Sequence, residues 1–422
     1  MPHVHPEAAS HIGPKAILML AFACGVGVAN VYFPQAISPL VAAGLDVAPD
    51  AAAAVVTAAQ VGYAAGIFLL VPLGDRLPHR PLIVTLIVLT ALGLIGAGCA
   101  PALPVLVAAS AVIGLTTVVP QIIIPMAAGL VAEERRGAVL GTLLSGLIGG
   151  ILLARTFSGT LGAWLGWRAP YLAAAVLMLL LAAILAFAIP ATVPRSRQRY
   201  PALLAASLQL LRSQADLRRS CFYQAMLFAG FSAAWTTLAL FVSGSHYGLG
   251  AQTLGVIALV GAGSMFATPI AGRLIDRNGP DRVNFVCFLG TLAAVAVLAA
   301  GARGGVVGLA ALSMGMLFLD VAMQCGQVAN QARIFALGAQ VRSRLNTAYM
   351  TCAFLGGSAG SWLGVRAYTS LGWEGVCALV AILAASALAW HLLRPASADP
   401  DGVTVGPTAY RPIGGTKSDL VP

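Results

Sequence analysis

The stretch YLAAAVLMLLLAAILAFAI, residues 171–189, runs for 19 residues without one charged side chain. A helix needs about 20 residues to cross a hydrocarbon core, so this stretch predicts a membrane span. Similar apolar runs centre near residues 30, 61, 90, 117, 150, 179, 232, 263, 292, 321, 353 and 383. Only 9% of the 422 residues are charged, and the mean hydropathy is +0.89. Because the alternating segments of a β-barrel are absent, we expect an all-α polytopic membrane protein with 12 transmembrane helices.

The charges between the runs set the expected orientation. Of the 24 Lys and Arg residues, Arg168, Arg303 and Arg366 fall in segments opposite the termini, and Arg155 lies within a run. The other 20 fall on the side of the two termini, and cytoplasmic loops carry such an excess of positive charge. We therefore expect both termini to be cytoplasmic. The net charge of +10 follows from this bias and predicts contact with the lipid bilayer, with no nucleic-acid partner.

The two halves of the chain repeat one another. The segments GTLGAWLGWR (159–168) and GSAGSWLGVR (357–366) agree at six of ten positions, and LGDR (73–76) is matched by LIDR (274–277) at a similar offset. This duplication predicts two pseudo-symmetric six-helix bundles. The expected domains are a cytoplasmic N-terminal segment (1–15), an N-terminal bundle (16–190), a cytoplasmic linker (191–220) with an amphipathic helix at 202–217, a C-terminal bundle (221–394) and a disordered cytoplasmic tail (395–422).

Two loops carry a family resemblance. The segment GRLIDRNGPDR (272–282) fits the pattern GxLxDRxGxxR, and PLGDRLPHRP (72–81) keeps most of it. Over residues 16–394 the chain resembles the major facilitator superfamily, which implies alternating access around a central cavity lined by helices 1, 4, 7 and 10. The resemblance also implies a cytoplasmic gate formed by Asp75, Arg76, Arg80, Gly272, Asp276 and Arg277. Alternatively, these residues only set topology and form turns.

Within that family the chain is most similar to the bacterial drug and metabolite efflux branch, the drug:proton antiporters, but two of the branch's motifs are atypical here. Ser110 stands where those antiporters have an Arg early in helix 4, and Arg155 stands where they have a proline in helix 5. The proton pathway of that branch therefore does not transfer directly to this sequence.

Two ionisable residues lie within the predicted spans. Asp320 is near the middle of the tenth apolar run, and Arg155 is in the outer half of the fifth. A charge at the bilayer centre costs about 2.5 to 3.5 kcal/mol on insertion scales, so such a residue faces a wet cavity or a partner. We expect both to take part in proton coupling; the alternative is a structural ion pair between the halves.

Polar residues on the same spans predict a substrate cavity. Asp320, Gln324, Gln327 and Gln331 follow the spacing i, i+4, i+7 and i+11, which aligns them along one helix face. Four such side chains on one face favour a cavity over lipid. The candidate cavity residues are Asn30, Thr117, Gln121, Arg155, Gln224, Trp235, Asp320, Gln324 and Gln327. Their chemistry suits a small organic solute with polar groups, including a partly anionic one.

These features together predict a secondary active transporter that works by alternating access, with proton-coupled export of a drug-like compound or metabolite. Proton-coupled or facilitated uptake of a small polar or partly anionic metabolite is the alternative, and a non-transporting membrane sensor is a more remote one. No phosphate-binding GxxxxGK[ST] motif, metal-ligand cluster or catalytic constellation is visible, so we expect neither a cofactor nor an enzyme. The expected partners are a small-molecule substrate and protons.

The expected state and location are a monomer in a bacterial inner (plasma) membrane. Arginine outnumbers lysine 22 to 2, which is typical of a GC-rich bacterial genome. The first apolar run is too long for a cleavable signal peptide, so it is expected to remain as the first span.

Overall fold

The fold is described for residues 13–131, 133–190, 198–338 and 341–393 of a computed structural model. Every regular element within these ranges is helical. The predicted tail (395–422), most of the N-terminal segment (1–15) and residues 191–197 of the linker lie outside the described residues.

The first half contains six spanning helices. They are α1 (Pro14–Leu45), α2 (Pro49–Asp75), α3 (His79–Gly98), α4 (Leu103–Gly129), α5 (Glu133–Leu165) and α6 (Ala169–Ala188). Two of them are interrupted near their centres: α1 turns at residues 30–32, and α4 turns at Thr117 and Val118. A proline follows each interruption, Pro34 in α1 and Pro120 in α4, and proline cannot donate the backbone hydrogen bond that would continue the helix.

The second half contains six more spans, some of them joined end to end. They are α7 (Ala215–Ser243), α8 (Ala251–Phe266, continuing to a kink at Gly279), α9 (280–303), α10 (Gly305–Ala336), α11 (342–371) and α12 (373–393). Gly279 and Gly372 divide these helical runs with φ of 77° and 63°, a left-handed backbone that glycine adopts without a steric cost. With those divisions the described residues form twelve spans, so the predicted helical membrane fold is confirmed.

The linker helix, Tyr200–Ser213, lies outside the spans. It buries Leu203 against the bundle, and the hydroxyl of Tyr200 donates to the carbonyl oxygen of Leu69 at 2.5 Å. The predicted helix at 202–217 is corrected at its end, because Gln214 is extended and α7 already begins at Ala215. Below, the end of the bundle that carries this helix is called the linker side, and the opposite end the far side.

The two halves meet closely on the far side through what is here called the far-side seal, formed by Thr57, Gln60, Ser232, Thr236 and Ser361. The hydroxyl of Thr57 in α2 donates to that of Ser361 in α11 at 3.2 Å, and the amide of Gln60 donates to the hydroxyl of Ser232 in α7 at 3.2 Å. Thr236 and Ser361 are 3.0 Å apart. These contacts bring α2 against α7 and α11, and they close the bundle beyond the mid-plane.

Candidate functional site

A cavity of about 110 Å³ lies between the two halves, from the mid-plane toward the linker side. Six of the predicted residues are on its wall: Gln121, Arg155, Gln224, Asp320, Gln324 and Gln327. Apolar side chains of α5, α7 and α11 also line the cavity, and they include Leu147, Ile151, Phe228 and Phe354. The cavity is therefore mostly apolar, with polar groups concentrated on α10 and at the mid-plane.

Arg155 is held at the mid-plane by one hydrogen bond and three aromatic rings. Its side chain is only 1% exposed, and its Nε donates to Oε1 of Gln35 at 2.8 Å. The centre of its guanidinium lies 4.0 Å from the ring centre of Trp235, 5.1 Å from that of Tyr32 and 5.3 Å from that of Phe231. Aromatic faces attract a cation, most strongly when it is desolvated, so this box offsets part of the cost of burying the charge.

Asp320 is equally buried, at 1% exposure, and it is bound to the same tryptophan. The indole Nε1 of Trp235 donates to Oδ1 of Asp320 at 2.9 Å. The indole therefore contacts the guanidinium of Arg155 with its face and the carboxylate with its edge. Among the described residues no salt bridge joins Arg155 to Asp320, and both groups contact Trp235 instead.

Each of the two charged groups has one polar atom without a hydrogen-bond partner among the described residues. Nη2 of Arg155 and Oδ2 of Asp320 are buried and have no hydrogen-bond partner among the described residues, and both side chains reach the cavity wall. An unsatisfied buried polar group costs about 1–3 kcal/mol, and more when it is charged. Two such atoms on one wall are typical of a site that is completed by water, a proton or a ligand.

Three predicted cavity residues lie behind the wall. Asn30 donates to the carbonyl oxygen of Gly27 and to the hydroxyl of Thr117, each at 3.2 Å, and Thr117 donates to the carbonyl of Gly27 at 2.5 Å. These bonds occupy the amide nitrogen of Asn30 and the hydroxyl of Thr117 where α1 and α4 are interrupted, and neither residue lines the cavity, although Oδ1 of Asn30 has no hydrogen-bond partner among the described residues. Trp235 does not line the cavity either, but it contacts Arg155 and Asp320, which do.

The glutamines on the wall connect neighbouring helices. Gln324 in α10 donates to Ser264 in α8 at 2.8 Å, and Gln224 in α7 accepts from Asn330 in α10 at 3.5 Å. Gln121 in the first half accepts a hydrogen bond of 3.4 Å from Asn346 in the second. The predicted polar face of α10 thus borders the cavity, and Gln121 links the halves on the linker side.

The predicted gate residues differ in how far they are exposed. Asp276 and Arg277 are exposed, Asp75 is half-buried, and the nearby ion pairs converge instead on Asp281. Asp281, at the start of α9, pairs with Arg219 of α7 at 2.6 Å and also with the buried Arg333 of α10. This cluster lies within the second half, so here it ties three helices of one bundle together. This cluster was not predicted from the sequence, although Asp281 belongs to the same GRLIDRNGPDR segment.

Replacing Asp281 with Asn is expected to lower stability by about 1–3 kcal/mol, because Arg333, whose side chain is 7% exposed, would lose its counter-charge. The loss of stability is smaller than for a fully buried ion pair, because Asp281 is 48% exposed and solvent screens its charge. Thermal unfolding of the purified protein measures the effect. Asp276→Asn, an exposed carboxylate of the same loop, is the control. Equal unfolding temperatures for the two variants would contradict the assigned role of Asp281.

Twelve helices around a central cavity with buried charges define a membrane transport protein rather than an enzyme. The chain belongs to the Major Facilitator Superfamily, whose family profile matches residues 16–360. It is 35% identical over 374 residues to the uncharacterized transporter YgaY of Escherichia coli O157:H7, covering 88% of this chain and 94% of that one. It is also 31% identical over 269 residues to a chloramphenicol resistance protein of Streptomyces lividans, covering 63% of this chain and 68% of that protein.

The fold has counterparts among solved structures. A crystal structure of the nucleoside transporter NupG superposes with a TM-score of 0.71 at 12% sequence identity, covering 90% of this chain and 98% of that one. At this identity the likeness concerns the fold alone. The family resemblance inferred from the two loops is therefore confirmed at the level of the superfamily.

Proposed function

We propose that this protein is a proton-coupled secondary transporter that exports a small organic solute by alternating access. The observation that carries the proposal is Asp320, a buried carboxylate of a spanning helix that lines the cavity and keeps one oxygen, Oδ2, without a hydrogen-bond partner among the described residues. A carboxylate in that position can bind a proton in one state and release it in another. Arg155, which contacts the indole of Trp235, supplies the counter-charge when the proton leaves.

The proposed cycle rocks the two bundles, residues 16–190 and 221–394, about this centre. The far-side seal is formed and the cavity extends toward the linker side, which fits a state open toward the cytoplasm if the linker side is cytoplasmic. The excess of Lys and Arg in the linker-side segments supports that orientation in a bacterial inner membrane. Asp75, Arg76, Arg80, Gly272, Asp276 and Arg277 are then proposed to form the gate of the opposite state.

The proposed direction of transport, export, is supported by the name of a similar protein. The chloramphenicol resistance protein of Streptomyces lividans carries a name that fits efflux, and this chain covers 68% of its length. Assignment to the efflux branch remains part of the proposal. Uptake with a proton is kept as the second candidate, because the free Nη2 of Arg155 could bind an anionic group that travels together with a proton.

Proteoliposomes of known orientation, loaded with a pH-sensitive dye, test this proposal. Chloramphenicol is the first probe, followed by a panel of metabolites. Export coupled to protons predicts that a transported solute moves protons in the opposite direction. Movement of both in the same direction would favour the uptake alternative, and solute movement without any proton signal would contradict proton coupling.

Gly261→Ala provides a graded test of Asp320. A Cβ at Gly261 in α8 would lie 2.6 Å from Oδ2 of Asp320, so the carboxylate, which is bound to Trp235 through Oδ1, would have to shift. We expect proton-coupled transport to slow about tenfold, because a small displacement of a functional group has a large effect on rate. Gly263→Ala is the matched control, since its Cβ would meet only Leu317 at an ordinary 3.5 Å. Equal initial rates for both variants would contradict the role given to the position of Asp320.

A further inference from the structure

The central cavity is lined by two residues of opposite charge, and each keeps one buried polar atom without a hydrogen-bond partner among the described residues. Nη2 of Arg155 is a donor without an acceptor, and Oδ2 of Asp320 is an acceptor without a donor, both among the described residues. Both side chains contact the indole of Trp235, Arg155 at its face and Asp320 at its N–H. A ligand can satisfy both atoms only if it carries an acceptor and a donor at once.

The rest of the site limits the net charge of such a ligand. Arg155 and Asp320 balance each other in charge, and the other polar side chains on the wall are neutral amides and the phenol hydroxyls of Tyr32 and Tyr63. A ligand with a net charge would leave that charge uncompensated in a buried setting, which is costly. A net-neutral ligand with separated charges matches both free groups without this cost.

The apolar part of the wall adds a third requirement. Leu147, Ile151, Phe228 and Phe354 line the cavity on the linker side of the charged pair. These side chains favour a ligand whose remaining body is apolar or aromatic, because burying it removes apolar surface from water.

We propose that the site binds a zwitterionic or strongly dipolar, net-neutral solute with an apolar body, of the amino-acid-like class. Its carboxylate or equivalent acceptor binds Nη2 of Arg155, and its ammonium or N–H donor binds Oδ2 of Asp320. This inference rests on the proposed function of the cavity as the transport site, and it names the substrate class of that site.

The arrangement also sets the relation between substrate and proton. The donor of the solute and a proton would occupy the same oxygen of Asp320, so they compete, as export in exchange for protons requires. The charged and titratable groups that face Asp320 are Arg155 from α5 and Tyr32 from α1, while α7 and α8 present Trp235 and Gly261.

Four probes with one aromatic body test the inference. They are L-phenylalanine (a zwitterion), N-acetyl-L-phenylalanine (an anion), L-phenylalanine amide (a cation) and N-acetyl-L-phenylalanine amide (neutral and without a charged group). Binding to the purified full-length protein is measured by calorimetry. We expect the zwitterion to bind about tenfold or more tightly than each singly charged probe, as the loss of one charge-assisted hydrogen bond implies.

Variants assign each preference to a residue. Arg155→Gln should remove the advantage of the zwitterion over L-phenylalanine amide, and Asp320→Asn should remove its advantage over the N-acetyl compound. Arg155→Lys should restore part of the first preference. Arg366→Gln is the matched control, because Arg366 also packs on a tryptophan, Trp362, but is exposed and far from the cavity. Thermal unfolding verifies that each variant is folded.

The outcomes separate this inference from the proposed function. Equal affinities, tightest binding of a singly charged probe, or no binding of any of the four would overturn the inference. The calorimetric assay applies no proton gradient. If the four probes rank as expected but vesicles show no proton-coupled transport, only the proposed function would be overturned. Proton-coupled transport of solutes that lack the ranking would overturn only the inference.

Discussion

In vesicles that contain the Asp320→Asn variant, a pH gradient is expected to drive no solute movement. The rate should equal that of protein-free vesicles. Asparagine keeps the shape of the side chain and an oxygen that can accept from Trp235, but it cannot bind and release a proton. The substitution also leaves the buried charge of Arg155 without the counter-charge of Asp320, so thermal unfolding is measured to verify that the variant is folded. Solute exchange without a gradient should continue, because it needs no proton step.

Asp50→Asn is the control for this experiment, since Asp50 is an exposed carboxylate in the first turn of α2. It should transport at the rate of the unmodified protein. If the Asp320→Asn vesicles were to accumulate solute as fast as those with Asp50→Asn, the proton would have to bind elsewhere and the proposed mechanism would be wrong.

Trp235→Leu is expected to stop transport for a different reason. The substitution removes the indole that both Arg155 and Asp320 contact, and it leaves space into which the guanidinium can move. A direct ion pair would then form, and two groups that neutralise each other permanently cannot bind a solute or exchange a proton. The loss of a buried aromatic side chain should also cost about 2–4 kcal/mol of stability.

A double-mutant cycle measures this effect. The coupling free energy between Arg155→Gln and Asp320→Asn is determined from denaturant unfolding in micelles, first in the unmodified protein and then with leucine at position 235. We expect the coupling to grow by about 1–3 kcal/mol in the leucine background. Trp164→Leu is the control, because Trp164 in α5 is 70% exposed. An unchanged coupling energy would mean that Trp235 does not separate the two charges.

The helices and the two central charges follow from the sequence because both depend on local chemistry. Apolar runs of about 20 residues must be helical in a membrane. Asp320 and Arg155 are identifiable because a charge within such a run is costly and is kept only for a reason. The break between α8 and α9 also has a local signal, since Gly279 precedes Pro280 in the chain.

The partners of those charges were not predictable, because they depend on how separate helices cross. Gln35 and Trp235 are polar or aromatic residues within long apolar runs, and nothing in their spacing indicates that they meet Arg155. Asn30 and Thr117 show the opposite case. They were expected on the cavity wall, but an amide and a hydroxyl in neighbouring helices can satisfy each other.

The charged loops illustrate a further limit. A motif identifies a segment, but the choice of Asp281 over Asp276 as the residue that holds Arg333 depends on the kink at Gly279, which separates the two carboxylates along the chain. Which of the two meets Arg333 is therefore a property of the folded backbone.

The far-side seal is made of neutral hydroxyls and amides, with Thr57, Gln60 and Ser361 among them. Dissolved ions weaken attractions between exposed charges, but they have little effect on short hydrogen bonds between uncharged groups. In the proposed cycle, the rate of opening toward that end should therefore be nearly independent of ionic strength, which would suit the proposed orientation, in which that end meets an environment whose salt content the cell does not control.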